Sequence, residues 1–372
     1  MSCNLDLPRV TGKKIAIVGD ALVVPAGTEK VTLFLSNIFP DAPIYTSAYL
    51  PENMFPEFKS KNIITMPLAS RVKNERQFKR LFPWWYLNFS LLDLNQFEII
   101  ISSSSYLAKY INPPKGVPHI CCLQNPFRLL WKPNEYSRQS SPYGRINMAI
   151  IKLLMPLARK VDIVKTRGIR HVVANSQNMA NQIREIYGID PDVVYPPINI
   201  DQFSIATTPG DYYLYAGRLI SHKRADLAIQ ACNRLKRKLI VAGDGLERTV
   251  LEELSGETVE FVGRVSDEQL KQLYSNCKAL LFPSDEDFGI VPVEVQASGR
   301  PVIAYRSGGA LETLIEGITG VFFDHQNADA LCDAILRFEK MNFNPELIRK
   351  NTMRFDQTVF ASKILAIVER FE

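Results

Sequence analysis

Short, continuous runs of apolar and β-branched residues recur along the whole chain, each followed by a stretch of helical period, and they fall into two sets. The first set comprises Lys14–Val18, Ile44–Ala48, Ile63–Met66, Glu98–Ser102, His119–Leu123, His171–Ala174 and Val193–Tyr195. A proline-rich stretch from Pro196-Pro197 to Pro209-Gly210 interrupts the pattern. It resumes with Tyr212–Ala216, Lys238–Ala242, Val259–Val262, Ala279–Phe282, Val302–Tyr305 and Val321–Phe323. Strands that are apolar throughout, rather than alternating, belong in parallel sheets covered on both faces. Alternating β and α elements in two sets predict an α/β protein of two doubly wound, Rossmann-like domains facing each other across a cleft. In that architecture ligands bind beyond the carboxyl ends of the strands. A chain of 372 residues also exceeds one ordinary core. The expected domains are 1–197 and 209–354, with the helical stretch 355–372 packing back on the first.

Composition narrows the class. With 46% apolar and 22% charged residues the chain reads as an ordinary soluble globular protein. No apolar run approaches the ~18 residues that cross a bilayer, and Met1 to Lys14 lack the apolar core of a signal peptide. The six cysteines are scattered without metal-ligand spacing, and four sit in or beside apolar runs, which predicts buried free thiols in a reducing compartment such as the cytoplasm. The net charge of +5 hides an asymmetry: residues 1–195 carry 24 Lys/Arg against 14 Asp/Glu, and residues 196–372 carry 20 against 25. A basic first half suits an anionic partner. Its sharpest patch, with Arg76, Lys79 and Arg80, runs straight into Leu81-Phe82-Pro83-Trp84-Trp85-Tyr86. Cations followed by Trp and Tyr suit a peripheral segment on an anionic membrane, at the inner face of a plasma membrane, while the plainer alternative is a solvated helix face leading into core aromatics. No nucleic-acid module is recognisable, and nothing speaks to the oligomeric state.

Chemistry concentrates at Ser284-Asp285-Glu286-Asp287-Phe288-Gly289-Ile290-Val291-Pro292-Val293-Glu294, read with Gly217-Arg218-Leu219 and Lys223. Two carboxylates bracket a glycine and a proline at a strand-to-helix corner. Pro292 suits the first helical position and Gly299 a C-terminal cap, which predicts Glu286 in the loop and Glu294 in the first turn. The N–H groups of Phe288, Gly289 and Ile290 would then seat a phosphate, with Arg218 and Lys223 supplying cations and the carboxylates binding hydroxyls. A sugar nucleotide fits that set. The plainer alternative is a glutamate placed by the helix dipole beside a solvated acidic turn. Arg218, Gly243, Gly263 and Glu286 each follow a predicted strand, where such a fold binds ligands. No Asp-x-Asp element or Cys/His cluster asks for a metal, and after Ile15–Val18 only Gly19 stands where a dinucleotide-binding turn would need three glycines.

In order and spacing, Gly217-Arg218-Leu219-Ile220-Ser221-His222-Lys223-Arg224, Val241-Ala242-Gly243-Asp244-Gly245, Phe261-Val262-Gly263-Arg264-Val265, the Glu286/Glu294 corner and Ser307-Gly308-Gly309-Ala310-Leu311-Glu312-Thr313 resemble the retaining glycosyltransferases of family 4. The resemblance continues through Ala26-Gly27-Thr28, Val173-Ala174-Asn175-Ser176 and Val194-Tyr195-Pro196-Pro197. It implies the two-domain GT-B fold and metal-independent transfer of a hexose. The wording is most similar to members that use GDP-mannose in bacterial polysaccharide and lipid-linked glycan assembly, with a UDP-sugar as the alternative donor. Carried over, Arg218 and Lys223 clamp the diphosphate, Glu286 holds the sugar hydroxyls and Glu294 the ribose. Gly217, Gly243, Asp287, Phe288, Gly289 and Ile290 line the donor, and the backbone at Arg264 and Val265 faces the base. Ala26 and Gly27 allow close approach after the first strand. The resemblance places Arg128 and Asp162 toward a lipid-linked or glycan acceptor. One position departs: Gln124 stands where the family usually has a histidine, and Lys132 where it has an acid. A glutamine can hydrogen-bond but cannot carry a proton, so a protein that binds a sugar nucleotide without transferring it is the rival reading. His119, five residues earlier and inside a strand, reads as a core histidine.

Overall fold

The computed structural model describes residues 12–133 and 144–371. The chain divides into two units, Met1–Pro197 with Thr358–Glu372, and Ile198–Gln357. In the first, strands β1 (Ile15–Gly19), β2 (Ile44–Thr46), β3 (Ile63–Thr65), β4 (Ile99–Ser104), β5 (His119–Leu123), β6 (His171–Ala174) and β7 (Asp192–Val193) form a parallel sheet in the order β3-β2-β1-β4-β5-β6-β7. Its helices are α1 (Gly27–Ile38), α2 (Glu75–Arg80), α3 (Phe82–Ser90), α4 (Arg128–Trp131), α5 (Gly144–Arg167) and α6 (Gln177–Tyr187). In the second, β8 (Tyr213–Ala216), β9 (Leu239–Ala242), β10 (Val259–Gly263), β11 (Ala279–Phe282), β12 (Val302–Tyr305) and β13 (Gly320–Phe323) run parallel in the order β10-β9-β8-β11-β12-β13. Helices α7 (Ala225–Leu235), α8 (Arg248–Leu254), α9 (Asp267–Asn276), α10 (Ile290–Ala297), α11 (Ala310–Thr313), α12 (Ala328–Phe338) and α13 (Pro345–Thr352) accompany them. A last helix, α14 (Gln357–Glu369), returns to the first unit.

The central strands are buried at every residue, β1 and β4 among them, which is why they are written in Ile, Val and small residues with no polar alternation. Strand β7 is shorter than its apolar run. Val194 N–H still reaches the carbonyl of Ala174 at 2.9 Å, but Pro196 and Pro197 have no N–H to continue the ladder. Helix α14 buries Phe360, Ala361, Ile364, Leu365 and Val368 among Ile17, Leu35, Ile44 and Ile99 of the first unit, so a run of helical spacing closes one face of that sheet. Cys121, Cys122, Cys232 and Cys277 are buried thiols and Cys332 is half-buried, while Cys3 lies outside the described residues. Burial pushes the Cys277 thiol up to about 12, so it is inert at neutral pH. Among the described residues no helix is long and apolar enough to cross a membrane.

Candidate functional site

Both sheets reverse their winding direction once, and at that switch point two loops diverge and leave a crevice. In the second unit the crevice lies between the ends of β8 and β11. Gly217 to Arg224 leave one strand and Pro283 to Gly289 leave the other. Lys223 Nζ forms an ion pair with Glu286 Oε1 across it, and Ser284 Oγ donates to the same carboxylate oxygen at 3.0 Å. The side chains of Lys223 and Glu286 are about one-fifth exposed, at 19% and 22%, so the pair sits at the surface of the crevice. Arg218, one residue beyond Gly217, is exposed.

Bare backbone makes this edge compact. Gly217 N–H donates to Ala242 O at 3.0 Å and Gly243 N–H to Gly263 O at 2.8 Å, which laces the loops after β8, β9 and β10 together. A Cβ on Gly243 would lie 1.9 Å from the Gly217 carbonyl oxygen, so no other residue fits there. The loop after β12 does the same for Glu286. Gly309 N–H donates to Glu286 O at 2.8 Å, and a Cβ on Gly309 would lie 2.3 Å from Phe288 Cα. Gly308 and Gly309 thus hold the Glu286 loop in place, beyond the turn they make.

The strand-to-helix corner departs from the sequence-based expectation by two residues. Gly289, at φ 84° and ψ 81°, turns the chain left-handed and starts α10 at Ile290, so Pro292 is the third helical residue and not the first. Glu294 falls in the second turn, where it is nearly buried and its Oε2 accepts from the Tyr274 hydroxyl at 3.1 Å. The helix-start N–H groups without an intrahelical acceptor accordingly belong to Gly289, Ile290 and Val291, one residue on from those expected. Gly299 does terminate the helix: Arg300 N–H reaches Val295 O at 3.1 Å and Gly299 N–H reaches Gln296 O at 2.8 Å, the paired bonds of a left-handed glycine cap. Asp287 is buried, and the ring of Phe288 is committed to the core against Phe355, 5.5 Å away. Arg264 and Val265 follow β10 and line a groove of about 440 Å³ with Tyr212, Val262, Leu273 and Asn276.

In the first unit the switch point lies between β1 and β4. Asp20, directly after β1, accepts backbone N–H bonds from Ser105, Tyr106, Leu107 and Ala108 at 2.5, 3.0, 2.8 and 2.6 Å and so fixes the loop after β4. Ala26 caps α1 and Gly27 is its first residue. The next residue, Thr28, places its hydroxyl 2.6 Å from that of Ser105. Sequence reasoning gave Asp20 and Thr28 no role, although an acid one residue past a buried strand is itself a signal. Gln124 follows β5, is buried, and receives Asn175 Nδ2 at its carbonyl oxygen (2.8 Å) and its Oε1 (3.3 Å). A cavity of about 10 Å³ beside Gln124 and Asn175 admits at most one water. His119 is a core histidine as read: its Nε2 is 2.7 Å from Ser102 Oγ, and burial draws it down to about 3.

Two further residues stand elsewhere than expected. Asp162 does not open to solvent. It is fully buried, 2.5 Å from Lys109 Nζ, and accepts from the Tyr110 and Tyr187 hydroxyls and Trp131 Nε1 at 2.6, 2.8 and 2.6 Å. Burial raises its carboxyl, but Lys109 and those donors outweigh burial and hold it below the ordinary range. Trp85 is not interfacial either. It is wholly buried, stacked on Phe78, and its Nε1 donates to Phe78 O at 3.0 Å, whereas Trp84 is exposed. Arg128 opens α4, half-buried. The side chains of Arg76, Lys79 and Arg80 lie outside the described residues. Among the described residues no three His, Cys, Asp or Glu side chains gather as a metal's ligand set.

Comparison with known proteins adds to this geometry. Residues 27–202 match the family model described as Glycosyltransferase Family 4, and residues 199–355 match Glycosyl transferases group 1. The chain is 31% identical over 194 residues to D-inositol 3-phosphate glycosyltransferase of Mycobacteroides abscessus, covering 44% of this chain and 43% of that protein. It is 33% identical over 188 residues to human alpha-1,3/1,6-mannosyltransferase ALG2, covering 40% and 45%. The matched stretch thus spans less than half the length of these two curated relatives. Among solved structures, Anabaena HepE in complex with UDP superposes with a TM-score of 0.70 at 18% identity, over 96% of this chain and all of that one. At that identity the likeness shows the fold.

Proposed function

Because the chain belongs to the glycosyltransferases of the GT-B fold, pairing a Family 4 domain with a group 1 domain, we propose that it is a retaining hexosyltransferase. It takes the sugar from a nucleoside diphosphate donor and passes it to a membrane-associated glycolipid or polysaccharide precursor on the cytoplasmic side. The observation that carries this reading is the Lys223–Glu286 pair at the switch point of the second sheet, beside exposed Arg218 and the start of α10. Mannose from GDP-mannose is the favoured donor, on the wording of the motifs and on the mannosyltransferase named among the relatives. A UDP-sugar is the second reading, favoured by the UDP complex of HepE.

The roles follow from charge and position. Lys223 exchanges Glu286 for the donor's phosphate oxygens, exposed Arg218 joins it there, and the N–H groups of Ile290 and Val291 add backbone dipoles. As the bond from the anomeric carbon to the phosphate oxygen breaks, negative charge grows on the leaving diphosphate. Fixed cations stabilise it there, a contribution that typically exceeds any other in such a site. Glu286, relieved of Lys223, accepts hydrogen bonds from sugar hydroxyls, while Ser284 holds the carboxylate in register. Glu294, oriented by Tyr274, binds the ribose. In a same-face displacement the acceptor oxygen bonds to the anomeric carbon while its proton passes to the departing phosphate oxygen, so no protein nucleophile is needed. Gln124, pinned by Asn175, contributes a hydrogen bond to the transferred sugar and no proton.

The test is thermal stabilisation by GDP-mannose, GDP-fucose, UDP-glucose, UDP-N-acetylglucosamine and the bare diphosphates. A donor at 100 times its dissociation constant adds about 2.7 kcal/mol. A shift with one base, lost in Arg218→Ala, is the expected result, and no shift with any of them would overturn the reading. In transfer assays Glu286→Ala abolishes turnover with the fold intact, and Gln124→Ala lowers it less. Full turnover by the Glu286 variant would sink the site assignment.

A further inference from the structure

Helix α5 carries its apolar residues on the wrong side. At ~100° per residue, Leu153, Leu157, Lys160 and Val164 share a narrow arc, and Met155, Asp162 and Thr166 lie opposite. The second group is buried, while Leu153, Leu157 and Val164 are 79%, 63% and 70% exposed. An ordinary surface helix turns its leucines toward the core. A second exposed row, Trp84, Leu87 and Leu91, runs along α3 and its C-terminal cap. The C-terminal ends of the two helices are neighbours: Asn112 Nδ2 donates to Ser90 O and its Oδ1 accepts from Lys165 Nζ, both at 2.6 Å. Exposed apolar rows on neighbouring helices mark an interaction site.

We propose that the outer faces of α5 and α3 form a membrane-docking surface that sets leucine side chains into an anionic lipid layer. Charge selects this occupant. Residues 144–170 contain seven Lys/Arg and one acid, Asp162, and that acid is buried against Lys109. Of the cations, Lys160, Arg167 and Arg170 are exposed. An anionic leaflet attracts such a surface, whereas a second copy of the chain would set like charges against each other. Helices of this pattern lie in the interface plane with leucines in the acyl boundary and Lys/Arg at the head groups. The proposal rests on the membrane-bound acceptor of the preceding reading. It also shifts the contact away from Trp85, which the core uses, to helices that the basic–aromatic sequence patch only partly included.

Co-sedimentation of the full chain with phosphatidylcholine vesicles, with and without phosphatidylglycerol, tests it. The unaltered protein pellets with the anionic vesicles. The combined Leu153→Ser, Leu157→Ser and Val164→Ser variant, altered only at exposed positions, binds them at least ~10-fold more weakly, and Lys160→Glu with Arg170→Glu weakens binding to anionic vesicles alone. Three results would overturn the proposal: a serine variant that pellets like the unaltered chain, an unaltered chain that binds neither vesicle, or a lipid-free dimer that the serine changes convert to monomer. Vesicle binding is read without donor or turnover. A failed nucleotide shift with intact vesicle binding therefore strikes only the transferase reading, and the converse strikes only this one.

Discussion

Replacing Asp162 by asparagine separates a structural from an acceptor-binding role. The change keeps size and removes the charge that faces Lys109 Nζ at 2.5 Å, with both side chains fully buried. Lys109 keeps only neutral oxygens, that of the new amide and the Tyr187 hydroxyl at 3.2 Å, and the rings of Tyr110 and Tyr187 at 5.2 and 4.9 Å. Removing one partner of a buried pair costs ~3–5 kcal/mol. In the unaltered chain the depressed Asp162 carboxyl contributes fully above the ordinary value near 4, and that contribution is lost as pH falls below it; the asparagine variant lacks this part of the pH dependence. All three tryptophans, Trp84, Trp85 and Trp131, lie in the first unit, so urea unfolding followed by tryptophan fluorescence reads that unit alone. Lys109→Met added to Asp162→Asn should recover at least ~2 kcal/mol, since a charge-free pair is often near neutral. An asparagine variant within ~1 kcal/mol of the parent but poor in transfer would refute the reasoning and return Asp162 to the acceptor.

Further outcomes follow from the same structure. His119 sits at about 3 when folded and near 6.5 when unfolded, so its contribution is complete above pH 6.5 and falls by about 2 kcal/mol on going to pH 5. His119→Gln, which can keep the Ser102 bond, should flatten that part of the pH dependence in the same fluorescence assay; an unchanged slope would exclude His119 as its source. Gly309→Ala forces a methyl to within 2.3 Å of Phe288 Cα, and because backbone cannot yield as a side chain does, ~1–3 kcal/mol is lost from the second unit. Calorimetry should show its melting lowered and the nucleotide-induced shift reduced with it, whereas a melting temperature equal to the parent's would count against the packing argument.

Sheet strands were legible in the sequence because burial on both faces leaves only one kind of residue to use. β5, β6, β11 and β12 begin and end where the apolar runs do. The corner at Gly289 was legible in kind and shifted in register, since a left-handed glycine can start a helix before the proline that seemed to mark it. Asp162 and Trp85 were misplaced for a different reason. What a carboxylate or an indole faces depends on Lys109, Tyr110, Tyr187 and Phe78, and for Asp162 those partners are 25 residues or more away in the chain. Likewise the period of α5 announces a helix with an apolar stripe and says nothing of which way the stripe points. The Lys223–Glu286 pair was named residue by residue as a binding set, yet its ion pair is a property of two loops meeting at the switch point.

Helix α14 has a consequence for how the protein is made. The sheet of the first unit cannot finish covering the face it shares with α1 until Phe360, Ile364 and Leu365 arrive, and they are translated after every residue of the second unit. The second unit is one uninterrupted stretch of chain and can finish folding as it emerges from the ribosome. The first unit, though its strands appear earlier, waits with an apolar face only partly covered. The half of the molecule synthesised first is therefore the half completed last, and shortening the chain by its final helix injures the domain at the opposite end of the sequence.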